Sequence, residues 1–180
     1  MKIDTRSLKV LASLMMVFTA IAMAPKAAAQ SQVMYHSPAP VESTFLNYDG
    51  RDASAPSSLP NAVRAAVKAA NSLQGKPYVW GGGHKFLYDK GYDCSGSVSY
   101  VLFQAGLIHG PLTAQQFHHY GAPGPGKYLT LFVSDHHVFM SVCGLRFDTS
   151  DHGANRGKGP KWRPTARSFP GFEVRHIPGL

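Results

Sequence analysis

Asp93-Cys94-Ser95-Gly96-Ser97-Val98-Ser99-Tyr100-Val101-Leu102-Phe103-Gln104-Ala105-Gly106 is the stretch on which the reading of this chain turns. Val98, Val101, Leu102 and Ala105 recur at i, i+3, i+4 and i+7, the spacing of one helical face, and Gly106 is a natural stop. Asp93 is a favoured helix cap. Cys94 therefore falls at the first turn of a helix. Unpaired N–H groups and the helix dipole favour a thiolate there. The thiolate is the nucleophilic form, so the position suits covalent catalysis. Spacing alone leaves three roles open to Cys94: nucleophile, inert buried thiol, or disulfide partner of Cys143, the other cysteine of the chain.

Upstream, Ala62, Val63, Ala66, Val67, Ala70 and Leu73 form a second helical stripe, with Ser58 as a possible cap, Pro60 in the first turn and Gly75 as the stop. Between the helices, Gly81-Gly82-Gly83 permits close backbone approach and positive φ. It lacks the Gly-Lys-Ser/Thr ending of a phosphate loop. Residues 84–92 read as a polar, aromatic loop. Downstream, residues 109–127 form a Gly/Pro-rich connection around a polar turn at Thr113–His118. Leu129, Leu131 and Val133, then Val138, Met140 and Val142, alternate as strands do. Cys143-Gly144 reads as a turn, and Arg146–Thr149 as the returning strand. Two helices followed by antiparallel strands predict an α+β fold.

Of nine histidines, His36, His84, His109 and His176 sit in loops or tails and read as solvated. His118 and His119 read as surface residues. His137 opens a strand, where it is either a satisfied core residue or a rigidly held general base. A two-residue turn at Cys143-Gly144 would pair position 148 with 139, placing Asp148 on the face of His137. A three-residue turn would reverse that face. No Cys-x-x-Cys or His-Glu-x-x-His is present, so no metal or cofactor is expected. Gly-x-Ser-x-Gly is absent as well.

The 180 residues allow one ordinary domain, and 44% hydrophobic content excludes wholesale disorder. Residues 1–29 read as a secretory signal peptide: Lys2, Arg6 and Lys9 precede an apolar run from Val10 to Ala24, and Ala27-Ala28-Ala29 supplies the cleavage site. The run is short for a membrane span, which needs ~20 residues. No stable membrane anchor is expected after its removal. Residues 30–57, rich in Ser, Pro and Ala, read as a flexible linker. The domain is expected over 58–180, with an irregular basic C-terminal tail. Of the 18 Lys/Arg and 10 Asp/Glu, four and one lie in the signal segment, leaving a net charge of +5. That excess suits an anionic target such as a cell wall rather than nucleic acid. The protein is expected to be secreted or periplasmic, and monomeric.

Three pieces together resemble the NlpC family of bacterial cell-wall cysteine peptidases. They are Gly75-Lys76-Pro77-Tyr78-Val79-Trp80-Gly81-Gly82, then Gly91-Tyr92-Asp93-Cys94-Ser95-Gly96-Ser97-Val98, then His137-Val138 followed by Gly144 and Phe147-Asp148-Thr149. The resemblance implies a papain-like fold, with Cys94 as nucleophile, His137 as base and Asp148 as third member. That third place more often holds His, Asn or Gln in the family. It implies that Tyr78 lines the site and assists the oxyanion. Asp93 and Ser95 are implied as substrate-binding residues that grip a free L-Ala amine, against the plainer reading of Asp93 as a helix cap. The implied substrate is the peptide stem of peptidoglycan, often cut at D-Glu-γ bonds. An amidase or acyltransferase on the same scaffold is the alternative enzyme. The non-enzyme alternative is a wall-binding module using Arg156, Lys158, Lys161 and Arg163.

Overall fold

The computed structural model describes residues 46–150, 158–165 and 167–180. The expected signal segment, and residues 30–45 of the expected linker, lie outside these. In chain order the elements are β1 (Asn47–Tyr48), β2 (Ala53–Ser54), α1 (Asn61–Ser72), α2 (Cys94–Gln104), α3 (Ala114–Phe117), β3 (Ala122–Pro123), β4 (Leu129–Ser134), β5 (His137–Val142), β6 (Leu145–Asp148), β7 (Lys161–Arg163) and β8 (Glu173–His176). The expected α+β class is the one found.

α1 starts after Pro60, whose fixed φ suits a helix entry, and Ser58 makes no cap bond. Val63, Ala66, Val67 and Ala70 are buried, as their spacing predicts. α3, read only as a polar turn, is closed by a capping box in which the Thr113 hydroxyl accepts from Gln116 N–H and the Gln116 amide oxygen accepts from Thr113 N–H.

Six strands form one antiparallel sheet in the order β3-β8-β4-β5-β6-β7. Val142 pairs with Leu145, so Cys143-Gly144 is a two-residue turn. Both turn residues have positive φ, 48° and 85°, the type I′ geometry that matches the twist of a hairpin. The period-2 alternation then sorts the sheet. Leu129, Leu131, Val133, Val138, Met140, Val142, Phe147 and Trp162 join α1 and α2 in one apolar core. The opposite face carries Phe132, His137, Phe139, Arg146, Asp148 and Arg163.

Two expectations need correction. Residues 47–54, assigned to the linker, form a hairpin that docks on α1. Asn71 donates to Ala53 O at 2.7 Å and accepts from Ala53 N–H at 3.0 Å and from the Trp162 indole N–H at 2.7 Å. The strands are too short to show periodicity, and one amide side chain holds them. The tail, expected to be irregular, supplies β7 and β8 instead. Arg163 is buried and donates through Nε to the Asp148 carbonyl at 3.1 Å. It faces inward, not toward a polymer.

Asn71→Ala removes three hydrogen bonds and leaves the indole N–H of the buried Trp162 unpaired. It should lower stability by roughly 2–4 kcal/mol. Denaturant unfolding followed by Trp fluorescence measures this, and an unchanged midpoint would show that the hairpin is dispensable.

Candidate active site

The loop before α2 is pinned to the helix start. Tyr92 N–H donates to Pro77 O at 3.0 Å and Val79 N–H to Tyr92 O at 3.2 Å. This short parallel bridge holds Tyr78 beside the helix. Gly96, inside the first turn, faces Gly82 so closely that a Cβ on Gly96 would overlap the Gly82 carbonyl oxygen. Asp93 caps α2, accepting from Gly96 N–H at 2.7 Å through Oδ1, while its Oδ2 accepts from Gly81 N–H at 3.0 Å. Capping, the plainer reading of Asp93, is therefore what its carboxylate does. Burial raises the Asp93 pKa, but these donors and His84 outweigh it and hold the carboxyl below its ordinary range.

Cys94 opens the helix and is a free thiol, as is Cys143. Burial pushes the Cys143 thiol up to about 11, which keeps it protonated and unreactive. The Cys94 thiol is directed at the β5 start. It lies 4.0 Å from the His136 carbonyl oxygen, and its hydrogen bonding and charge act on the neighbouring His137 ring. His137 Nε2 lies 2.9 Å from Asp148 Oδ1. The fold thus brings Cys94, His137 and Asp148 together. His136 is exposed and joins through its backbone alone.

Asp148 is 1% exposed, and its environment is strongly cationic. Arg167 Nη1 lies 2.7 Å from Oδ2, and Arg146 Nη1 lies 3.4 Å away. Ser150 N–H donates to Oδ1 at 3.0 Å. Burial pushes the carboxyl pKa up, but His137, Ser150 and Arg167 pull it below the usual carboxylate range. The residue is an anion, as an orienter of imidazole must be. Arg167 also bonds Ser150 Oγ at 2.7 Å and stacks on Phe139 and Phe172, 5.0 and 5.4 Å from their centroids. Residues 167–172 in this way lie across the second sheet face beside His137. Asp151 and His152, which follow β6, lie outside the described residues.

Burial works to lower the His137 pKa. The Asp148 and Cys94 hydrogen bonds and charges overcome it, raising the pKa to about 9. The ring is cationic near neutral pH and stands beside the Cys94 sulfur. Tyr78 is pushed up to about 12 by burial and by the charges of Cys94 and Asp93, so its hydroxyl remains a donor.

His84 corrects the sequence reading. It is not a solvated loop residue: Nε2 lies 3.0 Å from Asp93 Oδ1 and 3.0 Å from Ser95 Oγ. Its position depends on the backbone path through Gly81–Gly83, which composition does not encode. Trp80, Phe86 and Tyr88 rim the same loop, with Trp80 85% exposed. Among the described residues, no group of three or more His, Cys, Asp or Glu side chains is arranged to hold a metal ion.

A helix-borne cysteine set against an antiparallel sheet bearing histidine and aspartate is the papain-like arrangement. Residues 75–143 match the NlpC/P60 family. The matched segment contains the glycine turn, Asp93, Cys94 and His137, and ends before Asp148. A probable endopeptidase of Escherichia coli, YafL, is 40% identical over 62 residues, 34% of this chain and 24% of that protein. A probable endopeptidase of Mycobacterium tuberculosis is 34% identical over 96 residues, 49% of this chain and 24% of its own length. This chain thus spans about a quarter of the length of these curated relatives. Among solved structures, the M. tuberculosis peptidoglycan hydrolase RipB aligns with a TM-score of 0.49 at 23% identity, covering 67% of this chain and 69% of that one.

The His137 charge has a consequence for stability. Its folded pKa lies above the unfolded value of ~6.5. The contribution is therefore complete below that pH and is lost as pH rises through about 9. The difference in unfolding free energy between the native protein and His137→Gln should shrink by roughly 3 kcal/mol between about pH 6 and pH 10. A pH-independent difference would show that His137 is not held as a cation.

Proposed function

We propose that this chain is a secreted cysteine endopeptidase that hydrolyses peptide stems of peptidoglycan. The observation that carries the reading is the placement of the Cys94 thiol, at the start of α2, against the start of β5, where His137 is bound through Nε2 to a buried Asp148. The family match and the named activities of the relatives support the substrate class. The apolar segment 10–24 with its basic flank and Ala-Ala-Ala site supports export to the envelope. No helix among the described residues is long and apolar enough to cross a membrane.

In this mechanism the Cys94 proton resides on His137, and the sulfur attacks the scissile carbonyl carbon. Negative charge gathers on the carbonyl oxygen. The Cys94 backbone N–H, which has no intrahelical acceptor at the first helical position, donates to that oxygen, joined by the Tyr78 hydroxyl. As the tetrahedral adduct collapses, the C–N bond breaks and His137 gives its proton to the departing amine. The product is a Cys94 thioester. A water then attacks the thioester carbon, losing its proton to His137. The C–S bond breaks, the carboxyl product leaves, and the thiolate–imidazolium pair is restored. Asp148 keeps the ring in the orientation both transfers need.

Cys94→Ala should abolish turnover with the fold intact, and Cys143→Ser should keep full activity. Both are read by mass spectrometry of purified muropeptides after digestion. More than a trace of product from Cys94→Ala would overturn the nucleophile. Asp148→Asn removes a group that raises the His137 pKa. The alkaline limb of kcat/KM should therefore move from near pH 9 toward lower pH, and kcat should fall by up to ~10⁴. A silent Asp148→Asn would place the third member elsewhere.

A further inference from the structure

The residues on either side of Cys94 form an acceptor pair. A carboxylate and a hydroxyl placed together beside a nucleophile would, if free, attract an ammonium through charge-assisted hydrogen bonds. In this chain the pair is already occupied. Asp93 Oδ1 accepts from Gly96 N–H at 2.7 Å and from the Ser95 hydroxyl at 3.2 Å, and Oδ2 accepts from Gly81 N–H at 3.0 Å. His84 Nε2 completes the set at 3.0 Å from both Asp93 Oδ1 and Ser95 Oγ. A carboxylate offers about four acceptor sites, and four donors surround this one. The occupant is an imidazole whose protonated form the carboxylate favours, standing where a substrate cation would have to go. The Asp93 hydrogen bond, opposed by burial, raises the His84 pKa.

His84 does more than fill space. With Nε2 turned inward, Nδ1 has no protein partner among the described residues, and the side chain is 24% exposed. A protonated His84 offers Nδ1–H as a donor where a bare Asp93 would offer an acceptor. A substrate carbonyl satisfies such a donor. A substrate ammonium does not, and meets like charge.

We infer that His84 is a specificity-determining residue that occupies the cation place beside Cys94 and converts it to a donor. The stem residue lodged there is then amide-linked at its nitrogen rather than a free amine. The inference rests on the reading of Cys94 as a stem-cleaving nucleophile and adds the form of the stem. The enzyme acts on stems still joined to the glycan through their amino end, not on released peptides.

Two stem peptides with the same scissile bond test this, one with a free L-Ala amine and one with that nitrogen acylated. The native chain should cleave the acylated stem at least tenfold faster in kcat/KM. His84→Ala should shift the ratio at least tenfold toward the free amine, and His84→Gln, which keeps a neutral donor on Asp93, should fall between. If His84→Ala does not fold, His84→Gln carries the comparison. A native preference for the free amine, or the same ratio in all three proteins, would overturn the inference, since a merely structural His84 would lower both rates together. A binding arm separates this from the proposed activity. In Cys94→Ala protein followed by NMR, N-acetyl-L-alaninamide should shift the His84 ring signals and L-alaninamide should not. Adding His84→Ala should let L-alaninamide bind. Cleavage of neither stem would sink the peptidase reading alone, whereas L-alaninamide binding with His84 present would sink the inference.

Discussion

The site is assembled around one buried carboxylate, that of Asp93. A helix start presents N–H groups that must find acceptors, and the turn through Gly81–Gly83 presents another. Asp93 serves both with two oxygens, so the loop and the helix cannot be placed independently. The parallel bridge between Tyr78 and Tyr92 follows from this, and so does the close approach of Gly96 to Gly82. Cys94 inherits its position from these restraints rather than from contacts of its own.

The far side of the nucleophile is governed by a different economy of charge. Burying Asp148 is costly, and three guanidinium groups and an imidazolium gather around it. Such clusters seldom add net stability over an apolar equivalent. What this one adds is direction: Arg146 and Arg167 hold Oδ2, and Oδ1 is shared by Ser150 and His137. Phe172 of the 167–172 segment packs against His137 and Phe139, and Arg167 lies over the Phe139 ring, which lowers the local dielectric around the cluster.

Cys94, His137 and Asp148 were legible because each sits on a periodic element. Helical spacing locates Cys94, and strand alternation with a two-residue turn brings position 148 to the face of 137. That step was conditional on the turn length, which the positive φ of Cys143 and Gly144 decides. His84 was not legible, because its partners are reached through a glycine path with no period. Arg163 was misread with the rest of the basic tail, and Arg167 was not singled out at all. Charge composition counts cations but does not tell which are drawn inward by a buried anion. The hairpin at 47–54 was hidden for a third reason: its docking depends on Asn71, a half-buried polar side chain of α1 outside the apolar stripe.

The strand order carries a kinetic meaning. β4 to β6 follow one another through tight turns, while β8 returns from far along the chain to lie between β3 and β4. Local pairings form at little loop-closure cost, whereas a distant strand must be captured against chain entropy. His137 and Asp148 therefore meet within the early meander. Arg167, just ahead of β8, arrives with the late-captured segment. Loop-closure cost thus favours the pairing of imidazole with carboxylate ahead of the contact with the arginine that fixes that carboxylate. Completion of the site is tied to closing the sheet.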